Sequence, residues 1–136
     1  MKQTILTLAV TCSAVVLLTQ VPASADNTDT TMIIKSGDGD TLRAVFYEHS
    51  NFTGDKLKYY GGSACSSTTT DADYSMSVVP DGWNDKVSAI KDYSGCDVKI
   101  YVGGGFKGSA TGFVNYGAGR SVPGGFNDTM SSFKVS

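Results

Sequence analysis

The pattern Asn-Asp-x-x-Ser occurs twice, as Asn84-Asp85-Lys86-Val87-Ser88 and as Asn127-Asp128-Thr129-Met130-Ser131. Its fixed side chains all carry oxygen, yet one copy alone would mean no more than a turn, which Asn and Asp start wherever they occur. The other reactive groups assemble into no known chemistry. His49 is the only histidine, so neither a Ser-His pair nor a His-based zinc site has the residues it needs. Asp38-Gly-Asp40 begins like an EF-hand loop but lacks the third oxygen residue, the central glycine and the closing Glu. Gly103-Gly-Gly-Phe-Lys-Gly108 fits G-x-G-x-x-G, without the helix pattern that a dinucleotide loop requires after it. No nucleophile stands beside an oriented base, and a non-enzyme is expected.

The ends and the cysteines set the compartment. Lys2, the largely apolar stretch Ile5 to Val21 and Ala23-Ser24-Ala25 read as a signal peptide over 1–25. A secreted protein starting at Asp26 is predicted, with no later segment long enough to span a membrane. Cys12 leaves with the signal, so Cys65 and Cys96 remain, and in an oxidising compartment two cysteines most simply form one disulfide. The formal net charge of −2 becomes one unit more negative without Lys2, which provides no field for attracting nucleic acid.

The elements that must position these groups are also duplicated. Val79-Pro-Asp-Gly-Trp-Asn-Asp-Lys-Val-Ser-Ala-Ile-Lys91 returns as Val122-Pro-Gly-Gly-Phe-Asn-Asp-Thr-Met-Ser-Ser-Phe-Lys134. Upstream of each copy lies Tyr-x4-Phe-x-Gly, once as Tyr47 to Gly54 and once as Tyr101 to Gly108. Internal repetition of this kind sets the architecture. Runs of β-formers at Leu42 to Tyr47, Leu57 to Tyr60, Val98 to Val102 and Ser132 to Val135 are separated by glycine-rich turns, which predicts an all-β chain. The expected layout is a polar N-terminal segment over 26–38 and one domain over 39–136, with motif A at about 41–94 and motif B at about 97–136. Motif A is longer by roughly eleven residues, which fall within Gly61 to Pro80; a stretch of that kind is either functional or a tolerated insertion.

Two hairpin motifs alternating with two Asn-Asp-x-x-Ser motifs over 41–136 resemble the microbial calcium-binding branch of the βγ-crystallin family. The resemblance implies a Greek-key β-sandwich of two four-stranded antiparallel sheets, each motif lending a strand to the other. It also implies two Ca²⁺ sites, one centred on each signature loop. Ser88 and Ser131 would supply hydroxyls and Asp85 and Asp128 carboxylates. Carbonyls would come from Lys86 and Thr129 and from the opposite motif's hairpin at Glu48 or Val102, while Asn84 and Asn127 would hold the loops. Hard oxygen donors completed by water suit Ca²⁺, and so few carboxylates imply weak binding, on the order of 10⁻⁶ to 10⁻³ M. Ala89 departs from the family pattern at the sixth position, which implies a looser first loop.

Two functions compete on this scaffold. One is a secreted calcium-binding structural protein stabilised by its ions. The other is a secreted metalloprotease inhibitor or killer-toxin-like protein, with an extracellular protease or a cell-wall component as partner. Its activity would lie in the 61–80 loop, with Tyr74, Met76, Val78 and Val79 as apolar contacts.

Overall fold

The computed structural model describes residues 28–136. The expected signal peptide lies outside the described residues. Nine strands and no helix occur among them: β1 (Thr31–Ser36), β2 (Thr41–Tyr47), β3 (Lys56–Gly61), β4 (Tyr74–Met76), β5 (Ala89–Asp92), β6 (Val98–Gly103), β7 (Lys107–Ala110), β8 (Arg120–Ser121) and β9 (Ser132–Val135). They form two sheets, ordered β1-β3-β2-β5-β8 and β4-β9-β6-β7. Motif A lends β4 to the second sheet and motif B lends β8 to the first, so neither half closes alone.

The first sheet departs from the expected four antiparallel strands. β1 adds a fifth and runs parallel to β3, from Thr31 opposite Lys56 to Ser36 opposite Gly61. Part of the segment expected as a polar lead-in over 26–38 therefore belongs to the sheet. The cause is the run Met32-Ile33-Ile34, of which Ile34 packs on the core. The strand is also pinned at its start, where Thr30 donates from its amide (2.9 Å) and its hydroxyl (2.8 Å) to Asp55 Oδ1.

Between the sheets, alternate residues meet in one core. Phe46 and Tyr59 from the first sheet converge on Phe133 from the second, with ring centroids 4.6 and 5.1 Å away. Trp83, Val87, Ile90, Ile100 and Met130 complete it. A bulge between Leu42 and Ala44 turns Arg43 inward. Its guanidinium is wholly buried, stacks on Tyr74 with Cζ 3.0 Å from the ring centroid, and fills the space that a side chain on Gly61 would need.

The loop after β3 is tied down at several points. Cys65 and Cys96 are bonded, with Cα atoms 4.9 Å apart. Arg43 Nε donates to the Ser63 carbonyl (2.9 Å), and the Ser63 and Tyr74 hydroxyls lie 2.7 Å apart. Ser66 N–H donates to Asp73 Oδ2 (2.7 Å), while the Ser136 hydroxyl meets the carbonyls of Thr68 and Asp71.

Candidate functional site

Each hairpin folds its tyrosine over its phenylalanine. Tyr47 and Phe52 meet edge to face at 5.4 Å, Tyr101 and Phe106 at 5.5 Å. The folded turn demands left-handed backbone at two matching positions in each copy, at Phe52 (φ 63°) and Gly54 (φ 77°) and again at Phe106 (φ 61°) and Gly108 (φ 76°). The glycines meet this at no steric cost. The phenylalanines do not, and nothing in the sequence pattern pointed to their strain.

The signature loops start with matching turns, Trp83 N–H to Pro80 C=O and Phe126 N–H to Pro123 C=O, both 3.0 Å. Asn84 and Asn127 then donate to the neighbouring carboxylates of Asp85 (3.2 Å) and Asp128 (2.9 Å). Both aspartates lie in the left-handed region, at φ 56° and 54°. The asparagines orient carboxylates.

Where the carboxylates go differs from the expectation that each loop gathers its own donors. Asp128 N–H bonds to Val87 C=O (3.0 Å) and Asp85 N–H bonds to Met130 C=O (3.1 Å). Asp128 is thereby set beside the serine of the other motif, and the Asp85 backbone is tied to the residue before Ser131. The Ser88 hydroxyl donates to Asp128 Oδ1 at 2.9 Å, across the pseudo-two-fold. The hairpin carbonyl, in contrast, comes from the serine's own motif: Ser131 Oγ donates to Val102 C=O (3.0 Å), and the amides of Ser88 and Ser131 bond to Tyr47 and Tyr101 C=O at 2.9 Å. The physical reason is the paired crossing of the two loops, whose backbone bonds exchange their tips.

Glu48, His49, Asp85, Lys86, Ser88 and Asp128 line an open cleft of about 290 Å³. Lys86 crosses its flank, with Nζ 2.7 Å from Asp55 Oδ2 and 3.5 Å from Glu48 Oε1. Its hydrogen bond, with those from Thr30, holds the Asp55 carboxyl well below the usual carboxylate range. The same bond to Asp55 raises the Lys86 ammonium above its ordinary value. Glu48 is committed further, since Oε2 accepts the Asp55 amide at 3.0 Å. Asp85 and Asp128 are the cleft carboxylates left without a basic partner.

The second half has different chemistry. Thr129 replaces Lys86 and turns its hydroxyl to Phe126 C=O (2.8 Å). Ser132 Oγ donates to Gly103 C=O (2.6 Å) and accepts Phe106 N–H (3.1 Å), closing the second hairpin. Ala89, its equivalent in the first motif, is buried and offers no such bond. There the Glu48 carboxylate closes the hairpin instead, so the expected looseness is compensated.

No three His, Cys, Asp or Glu side chains among the described residues gather as a metal centre. The unpaired oxygen groups that line the cleft, the Asp85 and Asp128 carboxylates and the Ser88 hydroxyl, are a set that fits a weakly held hard cation and no softer metal.

The insertion is exposed from Ser66 to Asp71. Of the apolar contacts expected on it, only Val78 is presented, 68% exposed. Val79 is buried, Tyr74 and Met76 pack on the core, and the outward surface is polar instead.

Comparison with solved structures identifies the fold. A structure solved under the heading of the evolution of the eye lens βγ-crystallin domain fold superposes with a TM-score of 0.54 at 21% identity, covering 74% of this chain and 92% of its own. A βγ-crystallin domain from Clostridium beijerinckii gives 0.46 at 20% identity, covering 68% and 95%. A βγ-crystallin from an archaeon gives 0.45 at 23%, covering 70% and 98%. No curated protein matches the sequence. The sandwich with exchanged strands is thus a βγ-crystallin fold. The model of peptidase inhibitor family I36 matches residues 46–113, half of the chain and the whole of its insertion, and the protein belongs to that family.

Proposed function

We propose that this protein is an extracellular peptidase inhibitor and that the 61–80 loop makes the contact. The observation that carries the reading is the state of that loop inside the family segment 46–113. It projects an exposed tip, yet bonds to Cys96, to Arg43 and to the adjacent Val135 and Ser136 restrain it. A loop already held in one shape loses little conformational freedom on binding, which lowers the cost of association. Metalloproteases of the thermolysin type are the target class put forward. Titration of such an enzyme should reach stoichiometric inhibition, and trimming the loop to the length of the second motif's connection should abolish it while the sandwich survives. An untrimmed protein that leaves these enzymes fully active would end the reading for that class.

The Ser88–Asp128 pair favours a second, compatible property, which is stabilisation by Ca²⁺. Ser88, Asp128 and the carbonyls of Lys86 and Glu48 would hold one ion; Ser131, Asp85 and the carbonyls of Thr129 and Val102 would hold the other. Such an ion raises stability by binding only the folded chain. Secretion, which the 1–25 signal supports, would place the domain where calcium is abundant.

A further inference from the structure

We infer that two copies of this chain associate through β1, edge to edge, in antiparallel register about Ile33. β1 ends the first sheet, and among the described residues no strand covers its outer side. Such an edge presents a row of unpaired amides and carbonyls, and proteins normally guard it with charge, proline or a bulge. None of those guards is effective here. Thr31-Met-Ile-Ile-Lys-Ser36 has no proline, and its one charge, Lys35, is drawn back to Asp40 at 2.5 Å. Ile33 is 56% exposed and Met32 38%, on a strand that pairs with β3 without a bulge.

The occupant follows from the strand's own order. Directly opposed residues in an antiparallel pair point to the same face, so a two-fold axis normal to the sheet must pass through a residue and not between two. Centred on Ile33, the register sets Ile33 against Ile33, Met32 against Ile34 on both sides of the axis, and Lys35 against Thr31. Every apolar side chain of the strand meets another, no like charges oppose, and Asp29 of one copy falls diagonal to Lys35 of the other. Centred on Ile34, the pairing would set Ile33 against Lys35 and Met32 against Ser36. The strand therefore complements itself in one register, which an unrelated partner strand has no reason to match. The cleft and the 61–80 loop involve other residues, and the inference does not rest on the inhibitor reading.

A strand of this length forms a small interface, so association should be weak, on the order of 10 µM or weaker. Sedimentation equilibrium of the full chain should show the apparent mass rising from one copy toward two with concentration. Ile33→Glu and Ile33→Lys should each weaken association at least tenfold, because each sets like charges opposite one another on the axis. Their equimolar mixture should regain it, as a heterodimer with Glu facing Lys. Melting curves equal to the parent's would show both variants folded, as expected at so exposed a position. A protein monomeric to millimolar concentration would overturn the inference. So would variants that dimerise unchanged, or a mixture that stays monomeric; the last would leave Ile33 part of some other surface.

Discussion

The exchange of carboxylates between the signature loops makes a prediction that a loop-by-loop arrangement cannot share. If Ser88 and Asp128 serve one ion, Ser88→Ala and Asp128→Asn each remove the same site, and combining them removes nothing further. If Asp85 serves the other, Ser88→Ala with Asp85→Asn removes both. Each occupied site adds RT ln(1 + [L]/Kd), about 1.4 kcal/mol when calcium is tenfold above Kd. In a domain of this size that is roughly 6 °C or more of melting temperature. Relative to chelator, the parent should gain about 2.8 kcal/mol, both single variants and the Ser88→Ala/Asp128→Asn double about 1.4, and the Ser88→Ala/Asp85→Asn double close to zero. Taking the difference between calcium and chelator for each variant cancels the ion-free cost of losing the 2.9 Å Ser88–Asp128 bond. The assay is thermal melting in both buffers, with calorimetric stoichiometry alongside. Additive losses for Ser88 with Asp128, and non-additive ones for Ser88 with Asp85, would refute the exchanged arrangement. A melting temperature indifferent to calcium in the parent would falsify calcium binding altogether.

Three further outcomes follow from particular contacts. Replacing Cys65 and Cys96 with Ser opens a cross-link between residues 31 apart in sequence and should cost about 3.7 kcal/mol in the chain-entropy account; denaturant unfolding measures it, and a loss under about 1 kcal/mol would contradict it. Asp55, held low by Lys86 and Thr30, adds stability that is fully present above about pH 4 and disappears as pH falls through its lower folded value. Asp55→Asn should therefore flatten the acid side of the melting-temperature profile in chelator. Burial raises Asp92 despite the amides of Tyr116 and Gly117, so its ionised form costs stability that is recovered on acidification. Arg43 is wholly buried with both terminal nitrogens unpartnered; Arg43→Met should change stability by about 1 kcal/mol or less, whereas Arg43→Ala leaves a void under Tyr74 and should cost about 3 kcal/mol. Chemical denaturation separates the two.

Local chemistry made the repeated parts legible in the sequence. Gly54 and Gly108 carry a positive φ that glycine supplies freely, Trp83 and Ile90 go to the core, and the strands around Phe46, Tyr59, Ile100 and Phe133 fall where β-formers cluster. Cys65 and Cys96 bond as expected. What the sequence concealed depends on contacts between distant residues. β1 reads as polar because Thr31, Lys35 and Ser36 flank its apolar centre, and its place is decided by Asp55, which bonds Thr30 from 25 residues away. The assignment of Asp128 to Ser88, 40 residues apart, is likewise a property of how the loops cross. Arg43 would have been placed outward by simple alternation, and only the bulge between Leu42 and Ala44 turns it in.

The two motifs have diverged most where a cation would be drawn. In the first, Lys86 brings its own positive charge to Glu48 and Asp55, and through Asp55 to Thr30 and the start of β1. In the second, Val102 and Thr129 stand at the positions of Glu48 and Lys86, and Ser132 closes the hairpin by neutral hydrogen bonds alone. The tip of the 61–80 loop is held by the disulfide, by Arg43 and by the chain's last strand, whereas its end reaches the second signature loop, where Val79 N–H donates to Ser131 C=O at 3.0 Å. Under the proposed function, then, calcium adds stability to the sandwich and steadies the base of the insertion at Val79, while the exposed tip presented to a peptidase is held by bonds of its own. The ion and the target act on opposite dependencies of one fold, the first on the crossing of Asp85 and Asp128, the second on the covalent tie at Cys65.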